Sequence, residues 1–179
     1  MLTDNLRITR THPLISPAVL EEELPLTEPA SARVAEARST IARIIAGDDP
    51  RLLVIVGPCS VHDPAAAREY AERLATVASE ISERVFCVMR VYFEKPRTVV
   101  GWKGLINDPG LDGTYQINRG LRLARGLLAD VADIGLPAAT EFLDTTFGQY
   151  YTDLVSWGAI GARTVESQIH RELASGLSM

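Results

Sequence analysis

Apolar residues recur along the chain in two alternating rhythms. Four short runs, "LLVIVG" (52–57), "VFCVMRVYF" (85–93), "LPAATEF" (136–142) and "AIGAR" (159–163), read as strands, the first with the unbroken apolar character of one covered on both faces. Each is followed by a segment predicted as a helix. These are "PAAAREYAERLATVASEI" with Pro64 near its first turn, "YQINRGLRLARGLLADVADIG" closed by Gly135, a stretch near 146–156, and "TVESQIHRELASG" ended by Gly176. Another helix is predicted over "SARVAEARSTIARIIAGDD" ahead of the first strand, with Ala46-Gly47 as its stop. Residues 1–29 are Pro-rich and hold no sustained period, which predicts an arm laid over the surface or over a partner. Residues 94–113, rich in Gly, Pro, Asn and Asp, predict a long loop.

Four β-then-α units in succession mean a parallel sheet with helices packed on it. Either an open doubly wound sheet or part of an eight-unit barrel fits. A complete barrel of such units takes about 250 residues, and this chain has 179. Its last helix ends at Gly176 and "LSM" follows, where another strand would be due. Hydrophobic residues make up 46%, enough for a packed core. The net charge of -5 argues against a nucleic-acid binder. Cys59 and Cys87 make no disulfide framework, which favours a reducing compartment. The N-terminus lacks the apolar run of a signal peptide, and no stretch reaches about 18 apolar residues. The expectation is a soluble cytoplasmic protein, with no nucleic acid or membrane as partner.

Both architectures place ligands at the C-terminal strand ends. "GPCSVHD", with Cys59 and His62, follows the first strand. Arg90, Lys95, Arg97 and Thr98 lie at or beyond the end of the second, Glu141 ends the third and Arg163 the fourth. The segment 88–104 carries Arg90, Lys95, Arg97 and Lys103 against the single acid Glu94, in a chain that is acidic overall. Val88, Arg90 and Tyr92 share one strand face; Met89, Val91 and Phe93 share the other, which is wholly apolar and can pack on helices. Arg90 then points inward, and Pro96 turns Lys95 and Arg97 into a loop over the mouth. Guanidinium suits bidentate carboxylate or phosphate binding, and ammonium supplies a point charge. "GAR" (161–163) adds free amides before a helix. The expected partner is a small, multiply anionic molecule. Blander readings stand beside this one. Each cation alone fits a solvated surface charge. Cys59 fits an inert thiol as well as a metal ligand, and Cys-x-x-His with His62 is a weak signal. Glu141 fits an ion-pair partner as well as an acid or base. Cys87, His170, Trp102 and Trp157 read as structural.

Together "RLLVIVGPCSVHDP", "VMRVYFEKPRTVVGWKGLINDP", "LPAATEFLD" and "SWGAIGARTVESQIHRELASGLSM" resemble 3-deoxy-7-phosphoheptulonate (DAHP) synthase, the first enzyme of the shikimate pathway, in its short, feedback-regulated form. The resemblance runs from Arg51 to Met179 and more loosely over the arm ("TDNLR"). It implies a parallel (β/α) barrel of TIM type, of which this chain carries the first four or so units: an arm over 1–29, and half a catalytic barrel over 30–179. It implies condensation of phosphoenolpyruvate with erythrose 4-phosphate, with a divalent metal (manganese, iron, cobalt or zinc) polarising the aldehyde. By resemblance Cys59 is a metal ligand, and Arg90, Lys95, Glu141 and Arg163 are catalytic. Arg90 and Lys95 surround the phosphoenolpyruvate carboxylate, Arg163 with the Ala162 amide its phosphate, and Arg97 and Thr98 the erythrose 4-phosphate phosphate. The other metal ligands and a further catalytic lysine are expected beyond Met179, so the chain alone is expected to be an inactive fragment. A non-catalytic module that associates with a full-length synthase, and another phosphosugar aldolase, are the alternatives.

The resemblance also implies inhibition by an aromatic amino acid, bound through Thr145, Gly148, Gln149, Leu173, Leu177 and Ser178, with Asp4 and Asn5 contributed across a dimer or tetramer interface. Where Phe- and Tyr-sensitive members typically carry Pro, this chain has Gly148, which favours tryptophan.

Overall fold

A computed structural model describes residues 6, 8, 10–97 and 99–177. Helix α1 (Pro17–Glu23) and helix α2 (Glu28–Ala46) precede strand β1 (Leu52–Val56). Then come α3 (Pro64–Glu80), β2 (Val85–Arg90), α4 (Ile117–Ile134), β3 (Ala138–Phe142), two 3-10 turns (Phe147–Tyr150 and Thr152–Leu154), β4 (Trp157–Ile160) and α5 (Gln168–Ser175). Side-chain caps set several starts: Ser16 before Pro17, Thr27 onto Ala30 N–H, Asp63 before Pro64, and Ser167 onto His170 N–H. Gly47 and Gly135 end α2 and α4 in the left-handed conformation.

All strand pairs are parallel and the sheet order is β1-β2-β3-β4. A doubly wound sheet reverses its order at a switch point. Unbroken sequential order is the progression of a barrel, and the sheet is half of one. Its outer face puts Met89, Val91, Phe93, Ala138 and Phe142 into one core with Leu121, Leu127, Leu128 and Val131 of α4. Its inner face is filled at Val88 and Ala139 by Ile41 of α2, with Leu53, Phe86 and Trp157 packed around them. Farther along the strands this face carries Arg90 and Glu141.

Several boundaries differ from the sequence reading. The arm contains α1, whose Leu20 is fully buried; Tyr150 donates to Ile15 O at 2.6 Å and Asn118 donates to Pro13 O at 3.1 Å. From Pro13 to Leu20 the arm therefore lies over this chain's own surface. The helix near 146–156 is instead two 3-10 turns. Strand β2 stops at Arg90, although Val91 N–H still donates to Ala139 O at 2.7 Å. Strand β4 stops at Ile160, and α5 begins at Gln168 because Ser167 caps it there. Among the described residues no helix is long and apolar enough to cross a membrane.

Candidate active site

The strand ends meet through their backbones first. A Cβ on Gly57, after β1, would stand 2.8 Å from Arg90 O, so only glycine lets the two strands approach this closely. The chain then turns through Pro58 to Cys59. Arg90 Nη2 donates to Cys59 O at 3.0 Å, and its guanidinium lies 3.8 Å from the centre of the Tyr92 ring. Arg90 Nε is buried without a partner. Lys95 Nζ donates to Cys59 Sγ at 3.2 Å. That hydrogen bond, then the Lys95 and Arg90 charges, hold the thiol below its ordinary pKa against the opposing effects of burial and Glu141. Glu141 faces inward at the end of β3, and a Cβ on Gly161 would stand 2.7 Å from its Oε1.

The basic loop is held at its root. Glu94 and Gly104 form an antiparallel bridge; Lys95 N–H donates to Lys103 O at 2.9 Å, and Leu105 N–H to Phe93 O at 2.8 Å. Gly104 has φ +123, and a side chain there would collide with Phe93 O. Trp102 Nε1 donates to Asp108 O at 2.8 Å, so this indole is structural, as its sequence context predicts. The loop overhangs a cleft of about 370 Å³ that Lys95, Arg97, Lys103 and Arg163 line together with Glu94, Asn107 and Asp144. Four cations around one small polar space suit a phosphate ester better than any neutral ligand. Lys95 belongs to both the cleft and the Cys59 corner, which makes the two one continuous site.

Ala162 and Arg163 are exposed on the turn before α5. Arg97 is also exposed, and Thr98 lies outside the described residues. Asp4, Asn5 and Ser178 lie outside them as well. Of the other effector positions, Gly148, Leu173 and Leu177 converge on Phe142. A Cβ on Gly148 would meet the Phe142 ring at 3.3 Å and Leu173 Cδ2 at 3.5 Å, and one on Gly158 would meet Leu177 Cδ1 at 2.7 Å. Thr145 and Gln149 are exposed on the same segment. Cys87 is buried in β2. His170 is buried and hydrogen-bonded within the protein, which is a structural role.

Cys59 offers a thiolate-prone donor, but no group of three or more His, Cys, Asp or Glu side chains among the described residues is placed to hold a metal ion. One thiolate is one ligand of a site and not a site. Sequence reasoning missed Glu94, Asn107 and Asp144 as lining residues, whereas Lys103 was among the cations it grouped. The only signal for Glu94 was its isolation as the single acid of a basic strip.

Residues 23–179 match the family model described as the DAHP synthetase I family. Over 175 residues the chain is 61% identical to phospho-2-dehydro-3-deoxyheptonate aldolase, Phe-sensitive, of Escherichia coli (strain K12), covering 98% of this chain and 50% of the relative. It is 59% identical over 176 residues to the Trp-sensitive enzyme of Enterobacter agglomerans, covering 98% and 51%. The solved structure of phospho-2-dehydro-3-deoxyheptonate aldolase from Francisella tularensis SCHU S4 superposes with a TM-score of 0.91 at 57% identity, over 96% of this chain and 50% of that one. The chain spans about half the length of the curated relatives it matches.

Proposed function

Because this chain belongs to the DAHP synthetase I family, we propose that it forms one side of an active site that condenses phosphoenolpyruvate with erythrose 4-phosphate. The observation that carries this reading is the continuity of the Cys59 corner with the four-cation cleft through Lys95. Two phosphate esters and a carboxylate need several cations in one place, and here they come from two strand ends, those of β2 and β4. Arg90 and Lys95 hold the phosphoenolpyruvate carboxylate. Arg163 and the Ala162 amide hold its phosphate, and Arg97 with Thr98 takes the phosphate of the aldose. Glu141, aligned against Gly161, stands beside the enol ester. A divalent ion, when bound, supplies Lewis-acid polarisation of the aldehyde, and Cys59 gives it one ligand.

The cluster of Gly148, Leu173 and Leu177 around Phe142 supports an effector pocket on the far side of β3 from the inner face. Glycine at 148, where Phe- and Tyr-sensitive members typically carry Pro, packs closely against Phe142 and Leu173 and frees the backbone there, and tryptophan is the effector this favours. Overall identity does not choose between the two effector classes, since Phe-sensitive and Trp-sensitive relatives match at 61% and 59%. A dimer or tetramer brings Asp4 and Asn5 of a neighbouring subunit to it.

The test joins this chain to the second half of a Phe-sensitive relative's barrel. The joined enzyme is expected to form product with manganese, to be inhibited by tryptophan at lower concentration than by phenylalanine or tyrosine, and to outperform the chain alone, which forms none. A charge-assisted phosphate contact contributes about 1.5–3 kcal/mol, so Arg163→Ala is expected to raise KM for phosphoenolpyruvate about tenfold or more, and Arg97→Ala that for erythrose 4-phosphate. Equal effects of each change on both substrates refute the assignment.

A further inference from the structure

Glu94 is buried at 8% exposure, and the roles assigned above give its carboxyl nothing to do. Its backbone closes the basic loop against Gly104. Its side chain leaves that loop for another element: Oε2 accepts from Asp144 N–H at 3.4 Å, in the turn directly after β3. That turn is fastened in its own right. His170 Nε2 lies 2.9 Å from Leu143 O, which can only accept, so Nε2 carries a proton, and Nδ1 lies 2.7 Å from the Ser167 hydroxyl. Glu94 therefore ties the root of the cation loop to a turn anchored on α5.

The charges around Glu94 are unbalanced. Asp144 and Glu141 face it from β3 and its turn, and the Tyr151 phenol from the 3-10 segment. Lys95, Arg97 and Lys103 of its own loop and Arg163 after β4 share the cleft with it, and His170 stands behind Leu143. Among the described residues no cation is ion-paired with it. Burial pushes its pKa up to about 7; the Asp144 and Glu141 charges add to this, and the N–H groups of Asp144 and Leu143 oppose it. An ionised Glu94 sets a negative charge on the wall of the same cleft that a bound anion would occupy. A dianion in the cleft repels that ionised form in turn.

We propose that Glu94 is a positioning residue coupled to anion binding: a phosphate-ester dianion seated among Lys95, Arg97, Lys103 and Arg163 is taken up together with a proton on Glu94. The neutral carboxyl sets no negative charge beside the ligand and still accepts from Asp144 N–H, so the loop stays fastened. This rests on reading the cleft as a phosphate site.

The probe is sulfate, which remains a dianion from pH 6 to 8.5 and so does not titrate itself. Its binding to the chain and to Glu94→Gln is measured by calorimetry in two buffers of different ionisation enthalpy. A rise of about one unit in the Glu94 pKa on binding makes sulfate bind on the order of tenfold more weakly at pH 8.5 than at pH 6, with net proton uptake between pH 7 and 8. Glu94→Gln, whose amide oxygen accepts the same N–H, is expected to bind sulfate as the parent does at pH 6 and to lose that difference. The thiol of Cys59 is present in both proteins, so its titration cancels. Sulfate bound with the same pH dependence by both overturns the proposal and leaves the cleft reading standing; no sulfate bound at any pH overturns both. Infrared difference spectra of the unsubstituted chain, carboxyl-labelled at glutamate, give a check that needs no variant. A protonated-carboxyl band must be present at pH 6, disappear on raising the pH, and persist to higher pH with sulfate; a band that sulfate does not move overturns the proposal.

Discussion

Arg125 is the largest side chain in the core that carries a charge, at 1% exposure. Its Nε donates to Leu24 O at 2.7 Å and its Nη1 to Tyr150 O at 3.0 Å. Both terminal nitrogens reach the Asp153 carboxylate, at 2.7 and 2.8 Å. One guanidinium thus joins α4 to the end of the arm and to both 3-10 turns. Arg125→Met keeps the bulk and removes every donor. It leaves two backbone carbonyls without a partner, at about 1–3 kcal/mol each, and one carboxylate unpaired. Breaking a buried pair from one side costs about 3–5 kcal/mol. The Asp153 side chain is 35% exposed and water recovers part of its loss, so the expected cost is about 3 kcal/mol, at the lower end.

The assay is urea unfolding followed by the fluorescence of Trp102 and Trp157 at fixed protein concentration. With a slope of about 2 kcal/mol per molar urea, the midpoint falls by about 1.5 M. Adding Asp153→Leu to Arg125→Met is expected to restore part of the loss, because the stranded carboxylate is then gone. A midpoint for Arg125→Met within about 0.3 M of the parent refutes the reasoning: it would mean that the four contacts are matched by water in its place. The same substitution frees the segment that carries Gly148 and Gln149, so chymotrypsin is expected to cut after Phe147, Tyr150 or Tyr151 faster than in the parent.

Glu94 gives stability a pH dependence of defined sign. Its folded pKa of about 7 lies above the ordinary 4.5, so the folded state binds the extra proton; stability is full below pH 4.5 and falls as pH rises to 7, by about 3 kcal/mol from this group. Urea midpoints at pH 5 and 8 should show that fall and Glu94→Gln should abolish its share; parallel pH profiles for the two proteins count against it. The open sheet edges predict self-association: Leu52 on β1 is 64% exposed and Ile55 36%, and light scattering of the chain alone is expected to give an oligomer, whereas a compact monomer would be inconsistent with exposed edges.

The four strands were legible because short apolar runs alternate with helical periods, and that alternation survives without knowledge of the partners. Helix α1 was not legible. Seven residues give too few turns for a period, and its position is fixed by the Ser16 cap and the burial of Leu20, neither of which a pattern shows. The segment 146–156 reads as helical because it is apolar. It is held as two tight turns because Arg125, distant in sequence, takes the Tyr150 carbonyl and the Asp153 carboxylate. Near the cleft, the inward placement of Arg90 and Glu141 at strand ends, with Lys95 on the loop beyond, was legible from the alternation along the strands. The importance of Glu94 was not, since its burial depends on the bridge to Gly104 and on the turn after β3, both long-range contacts.

The inner face shows how an acidic chain holds cations against its core. Along β2 the inward positions run Val88, Arg90, and along β3 they run Ala139, Glu141, so a single step of two residues crosses from packed interior to charge. Ile41 of α2 fills the interior up to that step and no farther. Beyond it, the neighbouring strand gives up its side chain beside each charged residue: Gly57 beside Arg90, and Gly161 beside Glu141. A Cβ at either glycine would stand within 2.8 Å of its neighbour. The charged rim is thus built by subtraction as much as by the charged residues themselves. The same geometry explains why Glu94 is the exception. It lies one residue past the wholly apolar outward set of Met89, Val91 and Phe93, where the chain leaves the sheet. Its carboxyl is pulled under the loop by the Gly104 bridge, and no glycine opens a path to solvent for it.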